Sequence, residues 1–257
     1  MTSSSSVADT TLWRVAAASV VGVSHQTTGT PCQDAHAVSV LPNGLLVVAV
    51  SDGAGSATHS DLGSQSAVRT ALASLATLQA DAPDSWSDAL NDALRASRIA
   101  LEHLANANTV ELRDLACTLI LTIASADHLA VAQIGDGAVV VQWADGTLET
   151  ASKPQHGEHF NETTFLTGPN GVAEGQFVAH PRRVDGIAVL TDGLEHLALT
   201  RPEDAPHPPF FSPLFRYCGA RTSADATSPE LTSFLSSPKV SGRADDDLTL
   251  VLATRVP

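Results

Sequence analysis

Between Ala116 and Ala144 the chain carries three apolar runs, ACTLILTIAS, HLAVAQIG and AVVVQWA, separated only by the turns at Ser125-Ala126-Asp127 and Asp136-Gly137. Runs this short, bounded by turn residues, read as strands. A parallel crossover needs a dozen or more residues, so these turns predict antiparallel neighbours, and Asp145-Gly146 predicts another tight turn just beyond. Further strands are expected over Trp13–Val20, AHAVSVL and GLLVVAVS around Pro42-Asn43-Gly44, residues 176–180 and 186–191, and the closing DLTLVLATR. Helical spacing appears from Asp61 to Gln79 (Leu62, Ala67, Val68, Ala71, Leu72, Leu75), then from about Ser85 to Ala105 after a break at Pro83, and over Pro229–Leu235. GVSHQTTGTPCQ and RPEDAPHPPFFSP read as loops, and the aperiodic polar segment from Thr150 to Ala173 as a surface excursion. Paired helices between runs of adjacent strands predict an α+β layered domain, not an alternating βαβ fold.

Composition bounds what this framework can do. A length of 257 residues fits one large domain or two small ones, and a hydrophobic fraction of 43% excludes wholesale disorder. Aromatics at 4% require a core of Ala, Val, Leu and Ile. With 14 basic against 28 acidic residues, the formal net charge of −14 argues against nucleic acid or an anionic membrane as partner. It also means that something other than side-chain cations must attract any anionic substrate. Cys32, Cys117 and Cys218 are odd in number and lack a CxxC, so neither a disulfide framework nor a zinc site is expected. MTSSSSVADT has no basic n-region or apolar h-region, and no apolar run reaches the ~20 residues of a spanning helix. The expectation is a cytoplasmic protein with residues 1–10 a disordered leader and 11–257 one domain.

Aspartates recur at strand ends. Asp52-Gly53 follows LLVVAVS, Asp136-Gly137 follows HLAVAQIG, Asp192-Gly193 follows IAVLT, Asp34 precedes AHAVSVL, and Asp245, Asp246 and Asp247 precede the last strand. Asp-Gly is good turn chemistry, and any single copy can be no more than that. Asp52 and Asp192, however, precede helix-like stretches, where no two-residue hairpin is needed. The other reading is a carboxylate cluster at one end of a sheet. Oxygen donors without Cys or His suit Mg²⁺ or Mn²⁺, and divalent cations keep crowded carboxylates ionised.

The motifs PCQDAH, VVAVSDGAGS, AQIGDGAVV, IAVLTDGLEH and DDDLTLVLA stand in this order, together with Asn161-Glu162-Thr163-Thr164-Phe165. The set resembles the metal-dependent protein phosphatases of type 2C, in particular their bacterial branch with CQD and NETTF motifs, over roughly residues 13–255. The resemblance implies a four-layer α-β-β-α sandwich of two mostly antiparallel sheets flanked by helices. It implies hydrolysis of phosphoserine and phosphothreonine by a water bridging two Mg²⁺ or Mn²⁺ ions, with a third ion in bacterial members. By the same resemblance Asp52 bridges two ions and the Gly53 carbonyl binds one. Asp192 and Asp246 complete the other shell, Asp136 helps hold the third ion, and Asp34 orients bound waters. Asp247, counted with the metal residues, stands where the family usually has Asn. The segment 150–175 corresponds to a flap beside the site. Partners would be a phosphorylated Ser/Thr protein and a cognate kinase, with no nucleic acid and no membrane; oligomeric state is not readable.

The chain departs from the pattern in places. Gly29 occupies the position of a phosphate-contacting Arg in eukaryotic members, and His25 is the candidate replacement. Ala54 replaces a family His, leaving His36 as a candidate proton donor, and Glu195-His196 replaces a common Trp-Asp. Each histidine can equally be an ordinary loop or strand residue. Two alternatives to a protein phosphatase stay open: a catalytically weak module that binds a phosphoprotein or kinase, and a phosphomonoesterase acting on small molecules.

Overall fold

The computed structural model describes residues 12–79, 83–155, 163–222 and 225–256; the expected leader and Asn161-Glu162 lie outside them. The strands are β1 (Leu12–Val20), β2 (Ala35–Val40), β3 (Leu46–Ser51), β4 (Leu119–Ala124), β5 (Leu129–Ile134), β6 (Ala138–Trp143), β7 (Leu148–Ser152), β8 (Gln176–His180), β9 (Val184–Leu190), β10 (Leu199–Thr200), β11 (Ala205–Pro206) and β12 (Leu248–Val256). The helices are α1 (Val23–Thr28), α2 (Ser60–Leu75), α3 (Trp86–Asn108), α4 (Glu195–Ala198), α5 (Pro208–Ala220) and α6 (Pro229–Leu235).

Two five-stranded antiparallel sheets, ordered β2-β3-β4-β5-β8 and β1-β12-β9-β6-β7, stack face to face. Alternation along each strand divides the apolar residues into three layers of core. On β12, Val251 and Ala253 face the inter-sheet layer with Val48, Val131 and Val189, whereas Leu250 and Leu252 pack under α5 and α6 with Phe211, Phe215 and Leu231. The third layer joins α2 and α3 to the first sheet through Leu75, Trp86, Leu94, Leu119 and Leu121. The α+β, four-layer sandwich expected from the sequence is the fold, and aliphatic side chains dominate its core.

Four local readings need correction. β4 and β5 pair as expected, but β5 and β6 belong to different sheets, so Asp136-Gly137 is a crossing between layers and not a hairpin. Both faces of these strands are buried, which removes the polar-apolar alternation that would have told sheet partners apart. GVSHQTTGT contains α1, a six-residue helix with no buried residue and therefore no periodicity to read. RPEDAPHPPFFSP runs into α5. Pro208 and Pro209 sit in its first turn, where a missing N–H is harmless, and Phe211, Leu214, Phe215 and Cys218 pack inward despite Pro213. The segment from Thr150 is partly structured: it includes the end of β7, and Leu166 is buried with its N–H donated to the Cys117 carbonyl at 2.8 Å.

Candidate metal centre

Strand register brings the aspartates together. Ala35 pairs with Ser51, so the start of β2 and the end of β3 place Asp34 and Asp52 at one end of the first sheet. Leu190 pairs with both Ala138 and Leu250, so Asp136, Asp192 and the Asp246-Asp247 pair gather at one end of the second. One carboxylate oxygen from each of Asp52, Asp136 and Asp192 lies within 4.8 Å of the others. A second trio of ligand atoms, from His25, Asp246 and Asp247, meets the same criterion.

Neighbouring backbone fixes each position. Asp52 N–H donates to Thr118 Oγ1 at 2.9 Å, its carbonyl accepts from Thr118 N–H at 2.8 Å, and Gly53 bridges to Cys117. Thr163 Oγ1 donates to Asp136 Oδ2 at 2.6 Å, so the third residue of the NETTF motif holds the carboxylate at the layer crossing. Buried Gln133 clamps that crossing, its Nε2 donating to the Gly135, Gly137 and Lys153 carbonyls at 3.0, 2.6 and 3.1 Å. Asp192 opens a short 3-10 turn, and Gly193 lies so close to the Asp247 carbonyl that a β-carbon there could not fit.

Asp34 is buried at 6% exposure. Its Oδ2 accepts from Thr191 Oγ1 at 2.8 Å, which in turn accepts from Thr249 N–H at 3.1 Å. Thr249 Oγ1 donates to Ser19 Oγ at 2.7 Å, and Ser19 Oγ meets His36 Nδ1 at 2.8 Å. His36 thus ends a polar chain leading away from Asp34, and burial pushes its imidazole below the usual range. His25, on α1, donates from Nδ1 to Asp247 Oδ1 at 2.9 Å. Its Nε2 is turned toward Gly55, 4.0 Å from where a β-carbon would stand. Asp247 Oδ1 also accepts from Gly22 N–H at 2.7 Å, and Oδ2 accepts from Gln33 N–H at 2.6 Å. Every partner of the Asp247 carboxylate is a donor. An Asn here would turn its own NH₂ against one of them, a physical reason for Asp at this position. Glu195 is held by Arg201 at 2.5 Å.

The electrostatics show a site built for cations. Burial and the charges of Asp34, Asp192, Asp246 and Asp136 push Asp52 well above the usual carboxylate range. Burial, with Asp136, Asp246 and Asp34, takes Asp192 to about 8, and burial takes Asp34 to about 7 against the lowering effect of its hydroxyl donors. Asp34 Oδ1 and Asp136 Oδ1 are buried with no hydrogen-bond partner among the described residues. Orphaned oxygens and converging carboxylates fit hard divalent cations, whose charge would offset both costs. Thr118 supports the site from outside the quoted motifs, and Gln133, Thr163, Thr191 and Thr249 lie within them without being singled out, because their roles depend on register and layer crossing.

Residues 21–236 match the family model described as Protein phosphatase 2C. Serine/threonine-protein phosphatase 3 of Escherichia coli (strain K12) is 37% identical over 248 residues, covering 94% of this chain and 98% of that protein. A serine/threonine phosphatase from Staphylococcus aureus superposes with a TM-score of 0.69 at 13% identity, over 96% of each chain. The catalytic domain of the phosphatase PstP, solved with two manganese ions, gives 0.63 at 20% identity over 96% of this chain and all of that one. With the sandwich, the convergent aspartates and a relative aligned from end to end all in agreement, the chain belongs to the protein phosphatase 2C family.

Proposed function

We infer that the protein is a metal-dependent phosphoprotein phosphatase acting on phosphoserine and phosphothreonine. The observation that carries this reading is the convergence of Asp52, Asp136 and Asp192 within 4.8 Å in a chain whose 37% identical relative is a serine/threonine-protein phosphatase. Asp52, the Gly53 carbonyl, Asp192 and Asp246 hold two divalent cations, Mg²⁺ or Mn²⁺, and Asp136 a third; bound there, such ions neutralise phosphate charge and acidify water near neutral pH. We read residues 11–257 as one domain and 150–175 as a flap, of which residues 156–162 lie outside the described residues.

The chain's own residues position and exchange protons. Asp34, fixed by Thr191, presents its orphaned Oδ1 to the reacting water. Asp247 orders the His25-Gln33 face and is a positioning residue, since its oxygens are already engaged by three donors. His25 gives its Nδ1 proton to Asp247 Oδ1, and when the ring also carries a proton on Nε2 that proton faces the substrate side, to contact phosphate or protonate the leaving oxygen. His36, turned toward Ser19, is a supporting residue of Asp34 and not the proton donor for which it was a candidate. The setting we propose is the cytoplasm, opposite a Ser/Thr kinase.

The decisive assay incubates the protein with a phosphothreonine peptide and with p-nitrophenyl phosphate, in Mn²⁺, Mg²⁺ or EDTA. The expected outcome is turnover of both substrates with either ion and none in EDTA. Absence of metal-dependent turnover on the peptide overturns the reading. His25→Gln is expected to slow the peptide by about a hundredfold and p-nitrophenyl phosphate much less, because nitrophenolate leaves without a proton. Equal losses on both substrates would remove His25 from proton transfer.

A further inference from the structure

At the end of the second sheet opposite the aspartates, β6, β9 and β12 stop beneath α5 and enclose a cleft of about 410 Å³. Gln142, Arg183, Asp185, Thr254 and Arg255 come from the strand ends, and Ser212, Phe215, Arg216 and Gly219 from the helix. From Asp185 to Asp192 along β9 is roughly 20 Å at the ordinary strand rise, so this cleft and the metal centre are separate. Its size falls in the range of small-ligand sites, ~300–1,000 Å³.

Its charge runs against the rest of the molecule. In a chain with 14 basic and 28 acidic residues, three arginines line this one cleft with a single carboxylate. That carboxylate, Asp185, is shared, at 3.1 Å from Arg255 and 3.8 Å from Arg183. Arg216 is exposed and makes no hydrogen bond or ion pair among the described residues. A fourth, Arg14, stands opposite Thr254 in the β1–β12 ladder and donates to the Gly219 carbonyl beside the cleft. One shared carboxylate cannot neutralise this set, which leaves guanidinium forks in search of an anion.

The floor of the cleft is closed by Thr254, which is 6% exposed with its hydroxyl against the Cys218 thiol. That thiol is directed to the carbonyls of Arg14 and Leu252, and Gly219 lies over the same hydroxyl, where a β-carbon would stand 3.6 Å from Oγ1.

We propose that this cleft is a second, non-catalytic anion site that binds the phosphate of a small phosphorylated molecule. Arg183 and Arg216 grip the phosphate, and Gln142 and Ser212 read the hydroxyl-bearing remainder. The recessed floor, with Arg255 at 14% exposure, favours a compact ester over a phosphate carried on a folded protein surface.

Equilibrium dialysis of the Mg²⁺-loaded chain against radiolabelled inorganic phosphate tests this. Inhibition of p-nitrophenyl phosphate turnover by phosphate reports the metal centre separately. The expected result is one saturable phosphate site beyond the one that inhibits turnover. Arg216→Glu abolishes it and Arg183→Ala weakens it at least about tenfold, with basal turnover and its inhibition by phosphate unchanged. Ribose 5-phosphate displaces the label from the second site more readily than a phosphothreonine peptide does. Arg216 is exposed, so its replacement leaves folding intact. Binding confined to the inhibitory site, or a second site untouched by Arg216→Glu, overturns the proposal, and stronger displacement by the peptide overturns the small-molecule assignment.

Discussion

β6 is flanked by the same dipeptide at both ends, and the two copies do opposite things. At its far end Asp145-Gly146 closes the β6–β7 hairpin. Gly146 has φ +83° with nothing within 4 Å of where a β-carbon would stand, and Asp145 caps the turn by accepting from Thr147 N–H and Oγ1 at 3.0 and 2.6 Å. At its near end Asp136-Gly137 carries the chain between sheets. A β-carbon on Gly137 would meet the Leu190 carbonyl at 2.5 Å and Ile120 Cδ1 at 2.7 Å, and Asp136 faces other carboxylates. In one copy glycine supplies a backbone angle; in the other it supplies room for a second strand. The dipeptide is therefore ambiguous until its neighbours are known, and crowding is what separates a functional copy from a turn.

That contrast can be broken most sharply by charge removal. Asp52→Asn or Asp192→Asn should lower kcat on the phosphothreonine peptide at least about a thousandfold, the scale of losing a main stabiliser of transition-state charge, whereas Asp145→Asn should stay within about twofold. Comparable losses in all three would end the distinction.

Crowding also has a signature in pH. Asp192 and Asp52 are both raised above their unfolded values; the stability Asp192 contributes is fully present below about pH 4 and lost as pH rises through about 8, and Asp52 acts in the same direction. The EDTA-treated chain should therefore lose roughly 5–10 °C of Tm between pH 5 and pH 8, a cost of a few kcal/mol. Mn²⁺ should restore it, and Asp192→Asn should flatten the slope. A Tm independent of pH in EDTA contradicts the crowded cluster.

A smaller effect separates the glycines themselves. Gly137→Ala pushes a methyl into the β9 backbone and should cost about 2–4 kcal/mol in urea unfolding, against about 1 kcal/mol for the left-handed strain of Gly146→Ala. Smallest among site changes, Asp247→Asn should cost about 1–3 kcal/mol by setting an NH₂ against a backbone donor, with metal affinity nearly preserved. A stabilised Asn variant would show that the donors rearrange.

Much of the fold was legible because short apolar runs bounded by turn residues mark strands, and helical spacing marks packed helix faces. β1, β2, β3, β4 and the helices α2 and α3 follow their sequence patterns closely. What escaped was information held by partners. Nothing in HLAVAQIGDGAVVVQWA says that its two strands sit in different layers, since both are buried on both faces. The aspartates were visible from their strand-end positions, but their supports were not. Gln133 is one polar residue in an apolar run, and the three carbonyls that accept from it belong to the crossing and to Lys153. Likewise α1 carries His25 without an apolar stripe, so only the Asp247 contact reveals why that histidine is aimed.

One consequence follows from the ladder in which Leu12 pairs with Val256 and Val20 with Leu248. A ribosome delivers β1 at the beginning of the described chain and its partner at the very end, with Asp246 and Asp247 arriving just ahead of that partner. The elements of the first sheet, with α2 and α3, have all passed by His180, whereas the second sheet still lacks the carboxylates and the strand that close it. Closing so distant a contact is slow, and the same step completes the chemistry.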